Sequence, residues 1–222
     1  MGKDIDYENL YLLQDKVLQV VSSLNNEFYL TGGTALHRFY YDARYSDDLD
    51  FFVTNGISFS EDVKEIIAEL RQNHQVDINV FVKDFSRIII DDFLQVDFVN
   101  DRVYREGKSI AFDGIRVDNK INILTNKITA IVDRDEEKDI FDLMCICYYE
   151  DFDWKNILEI SNKKAIVEKD VLIYRLKSFP IKWLDRIKKI KDIVIKRDDI
   201  EKLCSDIFEG KNNSLHKIET YL

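Results

Sequence analysis

The stretch Phe28-Tyr-Leu-Thr-Gly-Gly-Thr-Ala-Leu36, followed by Arg44-Tyr-Ser-Asp-Asp-Leu-Asp-Phe-Phe-Val53, decides how this chain folds. It joins a short apolar strand, a two-glycine turn into a helix, and a second strand carrying alternate aspartates. Successive strand side chains face opposite ways, so Asp48 and Asp50 share one face while Leu49, Phe51 and Val53 take the other and can enter a core. Two carboxylates side by side repel unless a cation lies between them. A hard ion such as Mg²⁺ takes oxygen ligands at roughly 2.0–2.1 Å and keeps positions for water and substrate phosphate. The glycine turn supplies the complement. Gly32 and Gly33 lack a Cβ, so the backbone can take positive φ and a ligand can approach closely. Thr34 then opens a helix running from Ala35 to about Tyr40, whose N–H groups and dipole favour an anion. This order of parts suits metal-dependent transfer of a nucleotide's phosphoryl group.

Downstream residues add candidates. Asp97 lies inside the apolar run Phe93-Leu-Gln-Val-Asp-Phe-Val99 and offers a third carboxylate. Asp77, in Val76-Asp-Ile-Asn-Val80, alternates in the same way and is its rival. Lys127 and Ala130 share a helix face, and Arg134 and Lys138 continue it at four-residue spacing, a row able to carry positive charge toward phosphates. Asp139 and Asp142 are placed to orient Lys127 or Arg134, or to position an acceptor. Each motif taken singly has a plainer reading: a turn, the solvated side of a half-buried strand, a solvated helix face, or for Arg44 a structural ion pair. Their occurrence together, in order, is what favours chemistry.

Gly32-Gly33-Thr34-Ala35-Leu36, then Arg44, Ser46 and Asp48-Leu49-Asp50-Phe51, resemble the AbiEii/AbiGii toxin family, a branch of the polymerase-β-like nucleotidyltransferases. Asn126-Lys127-Ile-Thr-Ala130, Arg134 and Lys138-Asp139-Ile-Phe-Asp142-Leu143 extend the likeness, which covers residues 25–145. Arg44-x-Ser46 is the more family-specific mark, because the stretch between turn and carboxylates is longer than is general in the superfamily. The resemblance implies a nucleotidyltransferase that takes a nucleoside triphosphate (NTP) and releases pyrophosphate. In that reading Asp48, Asp50 and Asp97 hold two Mg²⁺ ions, with Mn²⁺ as a substitute. Gly32, Gly33, Thr34, Arg44, Ser46, Lys127 and Arg134 bind the nucleotide, and Asp48, Asp50, Asp97, Lys127, Asp139 and Asp142 form the catalytic set. Which of Asp139 and Asp142 is functional stays open, as does Asp97 against Asp77. The implied role is the toxin of a toxin–antitoxin or abortive phage-infection system, with tRNA or another RNA as acceptor and a cognate antitoxin as partner. Two alternatives stand beside it: nucleotidyl transfer to a protein or an antibiotic-type small molecule, and a non-catalytic nucleotide-binding module.

Composition bounds these readings. The 222 residues are 45% hydrophobic, enough for one or two packed domains. A net charge of −10 argues against a general nucleic-acid binder, since phosphate neutralisation dominates that affinity. Charge can still be local: Lys182, Arg186, Lys188, Lys189, Lys191, Lys196 and Arg197 crowd one segment. That segment reads either as an acceptor-binding surface or, more plainly, as the solvated face of an amphipathic helix carrying Ile187, Ile190 and Ile193. No apolar run reaches membrane-spanning length, and Met1-Gly-Lys-Asp-Ile-Asp6 has no signal-peptide pattern, so the expectation is a cytoplasmic protein without membrane contact. Cys145, Cys147 and Cys204 read as reduced core residues. Together with His37, His74 and His216 they offer no zinc spacing. His37 reads as a packing residue, with substrate contact as its alternative.

The periodicity predicts an α/β fold: a mixed sheet flanked by helices, then a helical region. A helix is expected over 7–25, strands near 28–31, 48–53, 76–82, 86–91 and 94–99, and a helix near 61–73. Val76 to Asp92 reads as a hairpin turning near Lys83-Asp-Phe-Ser86. The glycine-containing stretch Asn100–Gly114 reads as a connection into helices that fill nearly everything after 119, with Pro180 breaking two of them. The expected division is a nucleotidyltransferase core over 1–115 and a helical region over 116–222 that closes the nucleotide cleft.

Overall fold

The computed structural model describes residues 5–217. Two compact units make up the chain, and they are interleaved in sequence. The first runs from the N-terminal helix to Ala35, resumes over Tyr45–Val103 and ends with Lys108–Asp118. The second takes Leu36–Arg44, Tyr104–Gly107 and the chain from Asn119 onward.

The first unit is a seven-stranded mixed sheet with two long helices and the short helix at the glycine turn. Helix α1 (Tyr7–Ser23) begins where the Asp6 side chain accepts from Asn9 N, satisfying an orphan donor of the first turn. Its buried stripe of Leu10, Leu13, Val17, Leu18 and Val21 follows the helical period. Strands β1 (Tyr29–Thr31), β2 (Leu49–Thr54), β3 (Val76–Val82), β4 (Phe85–Ile90), β5 (Leu94–Asp101), β6 (Ile110–Phe112) and β7 (Ile115–Val117) lie in the order β3-β4-β5-β2-β1-β7-β6. β2 is therefore central, antiparallel to β1 and parallel to β5. Its burial alternates strictly: Leu49, Phe51 and Val53 are buried, and Asp50, Phe52 and Thr54 face the other way. Phe51 stacks on Phe98, and α3 (Phe59–Leu70) buries Phe59, Val63, Ile66, Ile67 and Leu70.

The stretch 100–114 departs from its sequence reading as a connection. β5 continues to Asp101, and Ile110–Val117 forms a hairpin about Asp113 and Gly114, both at positive φ. Asp-Gly is a favoured pair for a tight hairpin turn, but strands of three residues are too short to show alternation.

In the second unit α4 (Lys120–Asp133) is capped by the Asn119 side chain, which accepts from Asn122 N. α5 (Glu137–Tyr149) is buried all round from Asp139 to Tyr149, so it forms the core of this unit. α6 (Trp154–Lys164), α7 (Lys169–Ser178) and α8 (Arg197–Glu209) complete it, and Cys145, Cys147 and Cys204 are buried free thiols. Pro180 ends α7 and precedes a 3₁₀ turn, Ile181–Arg186. The basic stretch after that turn is not the amphipathic helix its isoleucines suggested. Residues 187–196 run without regular helix, Lys191 Nζ donates to the Tyr41 carbonyl, and Ile190 and Lys191 N–H groups both donate to the Ala43 carbonyl. No described helix is long and apolar enough to cross a membrane.

Candidate active site

The first unit gathers charged residues on one face of its sheet. Register sets them in a row: Arg87 on β4 is opposite Asp97 on β5, and Asp97 is opposite Asp50 on β2. Neighbouring strands are about 4.8 Å apart, so three consecutive partners on one face interact directly or through long side chains. Asp48 stands one residue before β2 begins, on the same side as Asp50 and half-buried like it. Asp77, the rival for the third carboxylate, lies exposed on the edge strand β3 and accepts from Gln75 Nε2. Asp97 is thus the carboxylate that the fold brings beside Asp50.

The glycine turn abuts this row. Gly32 opens the five-residue helix α2 (Gly32–Leu36) with φ at +72°, and a Cβ built on it would come within 2.5 Å of Asp50 Oδ2. The missing side chain is what lets the carboxylate lie against the turn. Of the two glycines only Gly32 takes positive φ. Thr34 does not face outward as a phosphate contact. It is buried, and its Oγ1 donates to the Asp48 carbonyl at 2.5 Å, tying the turn to the carboxylate strand. Ser46 is also buried, with its N–H donating to Tyr11 Oη at 3.2 Å and its carbonyl accepting from Gln14 Nε2 at 3.0 Å. Its place is structural.

Asp97 meets an arginine. Arg87 Nε donates to Asp97 Oδ1 at 2.7 Å and Arg87 Nη2 to Oδ2 at 2.6 Å, a bidentate fork; Gln95 Nε2 adds a contact at 3.4 Å. Among the described residues no three acidic, histidine or cysteine side chains gather as a metal site. Of the three carboxylates expected from the sequence, Asp97 lies opposite Asp50 and has both oxygens on Arg87. Asp48 and Asp50 do fit one divalent ion. Magnesium is commonly held by one or two carboxylates together with water and substrate phosphates, and Asp50 Oδ2 lies close against Gly32.

The second unit holds a buried ion cluster. Asp142, with side-chain exposure of 0%, accepts from Arg44 Nε at 2.7 Å and Arg44 Nη2 at 2.8 Å, and lies 2.8 Å from His37 Nε2 and from Lys127 Nζ. Lys127 Nζ also donates to Asp139 Oδ1 at 2.8 Å, and Arg134 Nε to Asp139 Oδ2 at 2.8 Å. Burial alone would raise the Asp142 carboxyl, but Arg44, Lys127 and His37 hold it well below the carboxylate range. Asp139 is likewise lowered, with Lys127 and Arg134 outweighing burial. Lys127 is raised because its two aspartates overcome desolvation. For His37 burial wins and its pKa falls, so the ring is neutral near pH 7; it then donates from Nε2 to Asp142 and leaves Nδ1 without a partner.

Several site expectations change in this light. Arg44 is an internal counter-ion. Lys127 is 9% exposed and held by two carboxylates. Asp139 and Asp142 both serve the cluster. The single-faced row Lys127–Arg134–Lys138 does not exist, since α4 ends at Asp133 and Arg134 is extended. Arg134, with a 59% exposed side chain, is the part of the cluster that solvent reaches.

The family model described as "Nucleotidyl transferase AbiEii toxin, Type IV TA system" matches residues 16–222. This chain belongs to the AbiEii family. It is thereby a nucleotidyltransferase of a toxin–antitoxin class whose members generally use divalent metal ions, and the family implies a cognate antitoxin and nucleotide substrates. The crystal structure of JHP933 from Helicobacter pylori matches with a TM-score of 0.59 at 16% identity, covering 94% of this chain and 96% of that one. It supports the fold. MenT4, a nucleotidyltransferase toxin from Mycobacterium tuberculosis, matches at a TM-score of 0.46 and 13% identity, over 86% of this chain and 70% of that one. No curated protein matches at a significant level.

Arg87 is the residue that sequence reading missed. Its signal lay in hairpin register: Asp91 and Asp92, both at positive φ, close the turn between β4 and β5 and set Arg87 opposite Asp97.

Proposed function

We propose that this AbiEii protein transfers a nucleotidyl group from an NTP to the end of an RNA, with tRNA as the acceptor, in the cytoplasm. The observation that carries the reading is Asp50 on β2 lying against the side-chain-free Gly32, with Asp48 just before the strand tied to the same turn through its carbonyl. A donor triphosphate would share a Mg²⁺ held by these two carboxylates, Mn²⁺ being able to replace it. The bound ion supplies neutralisation of phosphate charge. An acceptor hydroxyl oxygen forms a bond to the α-phosphorus, the bond from that phosphorus to the α–β bridging oxygen breaks, pyrophosphate leaves with the electron pair, and the hydroxyl proton passes to solvent. Gly32 lets Asp50 lie against the turn, and Thr34 fixes the turn to the strand through the Asp48 carbonyl. Within the helical unit Arg134 is exposed and oriented by Asp139, and Lys127 is held between Asp139 and Asp142.

The tRNA acceptor rests on the family alone, and a net charge of −10 fits a protein or small-molecule acceptor as well. One experiment separates them. Each α-³²P-labelled NTP is incubated with the protein, Mg²⁺ and, in separate reactions, purified tRNA, cell-extract protein or an aminoglycoside. Label in tRNA with release of pyrophosphate is the expected result. Label in the protein or aminoglycoside reaction would replace the acceptor assignment, and binding of NTP without pyrophosphate release in any reaction would leave a nucleotide-binding module.

A further inference from the structure

The arginine on Asp97 changes what the carboxylate row can do. Arg87, Asp97 and Asp50 occupy matched positions on three neighbouring strands, so a long side chain from β4 passes over β5 toward β2. Its guanidinium grips both Asp97 oxygens and lies over the Phe85 ring, whose centroid is 5.6 Å from the guanidinium carbon. Arg87 is nevertheless 38% exposed along its side chain. It is therefore held in place and open to ligand at once.

Resting on the function proposed above, we infer that Arg87 takes the part of the second cation: the site works with one divalent ion and an arginine, and Asp97 is a positioning residue that aims the arginine rather than a metal ligand. Geometry and chemistry agree on this. A bidentate guanidinium takes the better-placed lone pair on each Asp97 oxygen and already offsets the carboxylate's charge, which leaves only the weaker outer pairs for a metal ion. A guanidinium is a planar, permanently charged fork suited to phosphate oxygens, and Nη1, which makes neither bond to Asp97, can donate to a triphosphate. The bond to Asp97, helped by the charges of Asp97, Asp50 and Asp48, outweighs burial and holds the group more basic than usual, so it stays charged at any working pH. Preorganised positive charge beside the phosphates is what phosphoryl transfer needs, whether it comes from an ion or an arginine.

The test counts ions directly, with inorganic tripolyphosphate as a base-independent probe. Mn²⁺ binding to the purified protein is followed by electron paramagnetic resonance with saturating tripolyphosphate, for wild type, Asp50→Asn, Asp97→Asn, Arg87→Ala and Arg87→Lys. One Mn²⁺ per chain is expected for wild type, and Asp97→Asn should keep it with affinity within about twofold. Arg87→Ala and Asp97→Asn should each weaken tripolyphosphate about tenfold, with Arg87→Lys between them and wild type. A purely structural Arg87–Asp97 pair would lower the melting temperature without that ordered loss of anion affinity, which would overturn the inference. Two Mn²⁺ per chain in wild type, falling to one in Asp97→Asn, would also overturn it while leaving the nucleotidyltransferase reading intact. Failure of wild type to bind Mn²⁺, with Asp50→Asn indistinguishable from it, would instead sink the proposed function and this inference with it.

Discussion

Replacing Asp142 by asparagine removes the anion on which Arg44, Lys127 and His37 converge, while keeping almost the same shape. Wild type balances two buried cations against Asp142 and Asp139; the variant leaves Arg44 without its carboxylate and Lys127 with only one. Breaking a buried ion pair by removing one partner typically costs about 3–5 kcal/mol. Total stability of a domain is only about 5–15 kcal/mol, so a large share is lost. For a chain of this length each kcal/mol moves the melting temperature by roughly 2–4 °C, giving a fall of about 6–20 °C. Urea unfolding at pH 7, followed by circular dichroism, measures it. The exposed Asp91→Asn, which removes only a surface pair with His74, is the control and should stay within about 0.5 kcal/mol. pH gives a second arm. The Asp142 carboxyl lies lower in the folded than in the unfolded state, so its contribution is complete above an unfolded value of about 3.9 and disappears as pH falls through the depressed folded value. Lys127 is raised on folding, so its contribution is complete below an unfolded value of about 10.4 and is lost as pH rises through the higher folded value. Wild type should lose more stability on acidification from pH 5 than Asp142→Asn. An asparagine variant with the wild-type midpoint, or an identical acid profile, would refute the argument that this cluster holds the helical unit together.

Other outcomes follow from the site. Gly32→Ala forces a Cβ into a left-handed backbone and onto Asp50 Oδ2, costing about 1–2 kcal/mol for the backbone and more for the displaced carboxylate; Mn²⁺ affinity should fall at least tenfold, as calorimetry would show. Expression of wild type should slow growth of a bacterial host, and Asp48→Ala should relieve it at equal protein level by immunoblot; equal growth would remove the toxin assignment. Asn119→Ala deletes the cap of α4 and should cost about 1 kcal/mol in urea unfolding without changing Mn²⁺ binding.

Much of the sheet was legible because its signals are local. Alternation of Leu49, Phe51 and Val53 against Asp50 gave β2 and its faces, and the apolar run at 94–99 gave β5. The glycine turn was legible through the residue type that a positive φ demands, although only one glycine uses it. Roles that depend on who meets whom across the fold were not. Lys127 and Arg134 meet Asp139, a pairing that their spacing allowed, yet nothing in the spacing brings Arg44, 98 positions earlier, onto Asp142. Residues 187–196 show helical spacing of isoleucines, but their backbone partners lie at Tyr41 and Ala43, about 150 positions earlier. Arg87 stood in plain sight as a polar residue on a strand, and only the hairpin register gives it a target.

The interleaving has a consequence for heredity. Leu36–Arg44 is encoded amid the strands yet belongs to the helical unit, where His37 and Arg44 meet Asp142 about a hundred codons downstream. A gene cut at codon 115 would give one fragment bearing an orphaned guanidinium and another bearing an uncompensated acid in its interior. Recombination therefore cannot shuffle the two units as cassettes, and homologues should inherit the pair as one block.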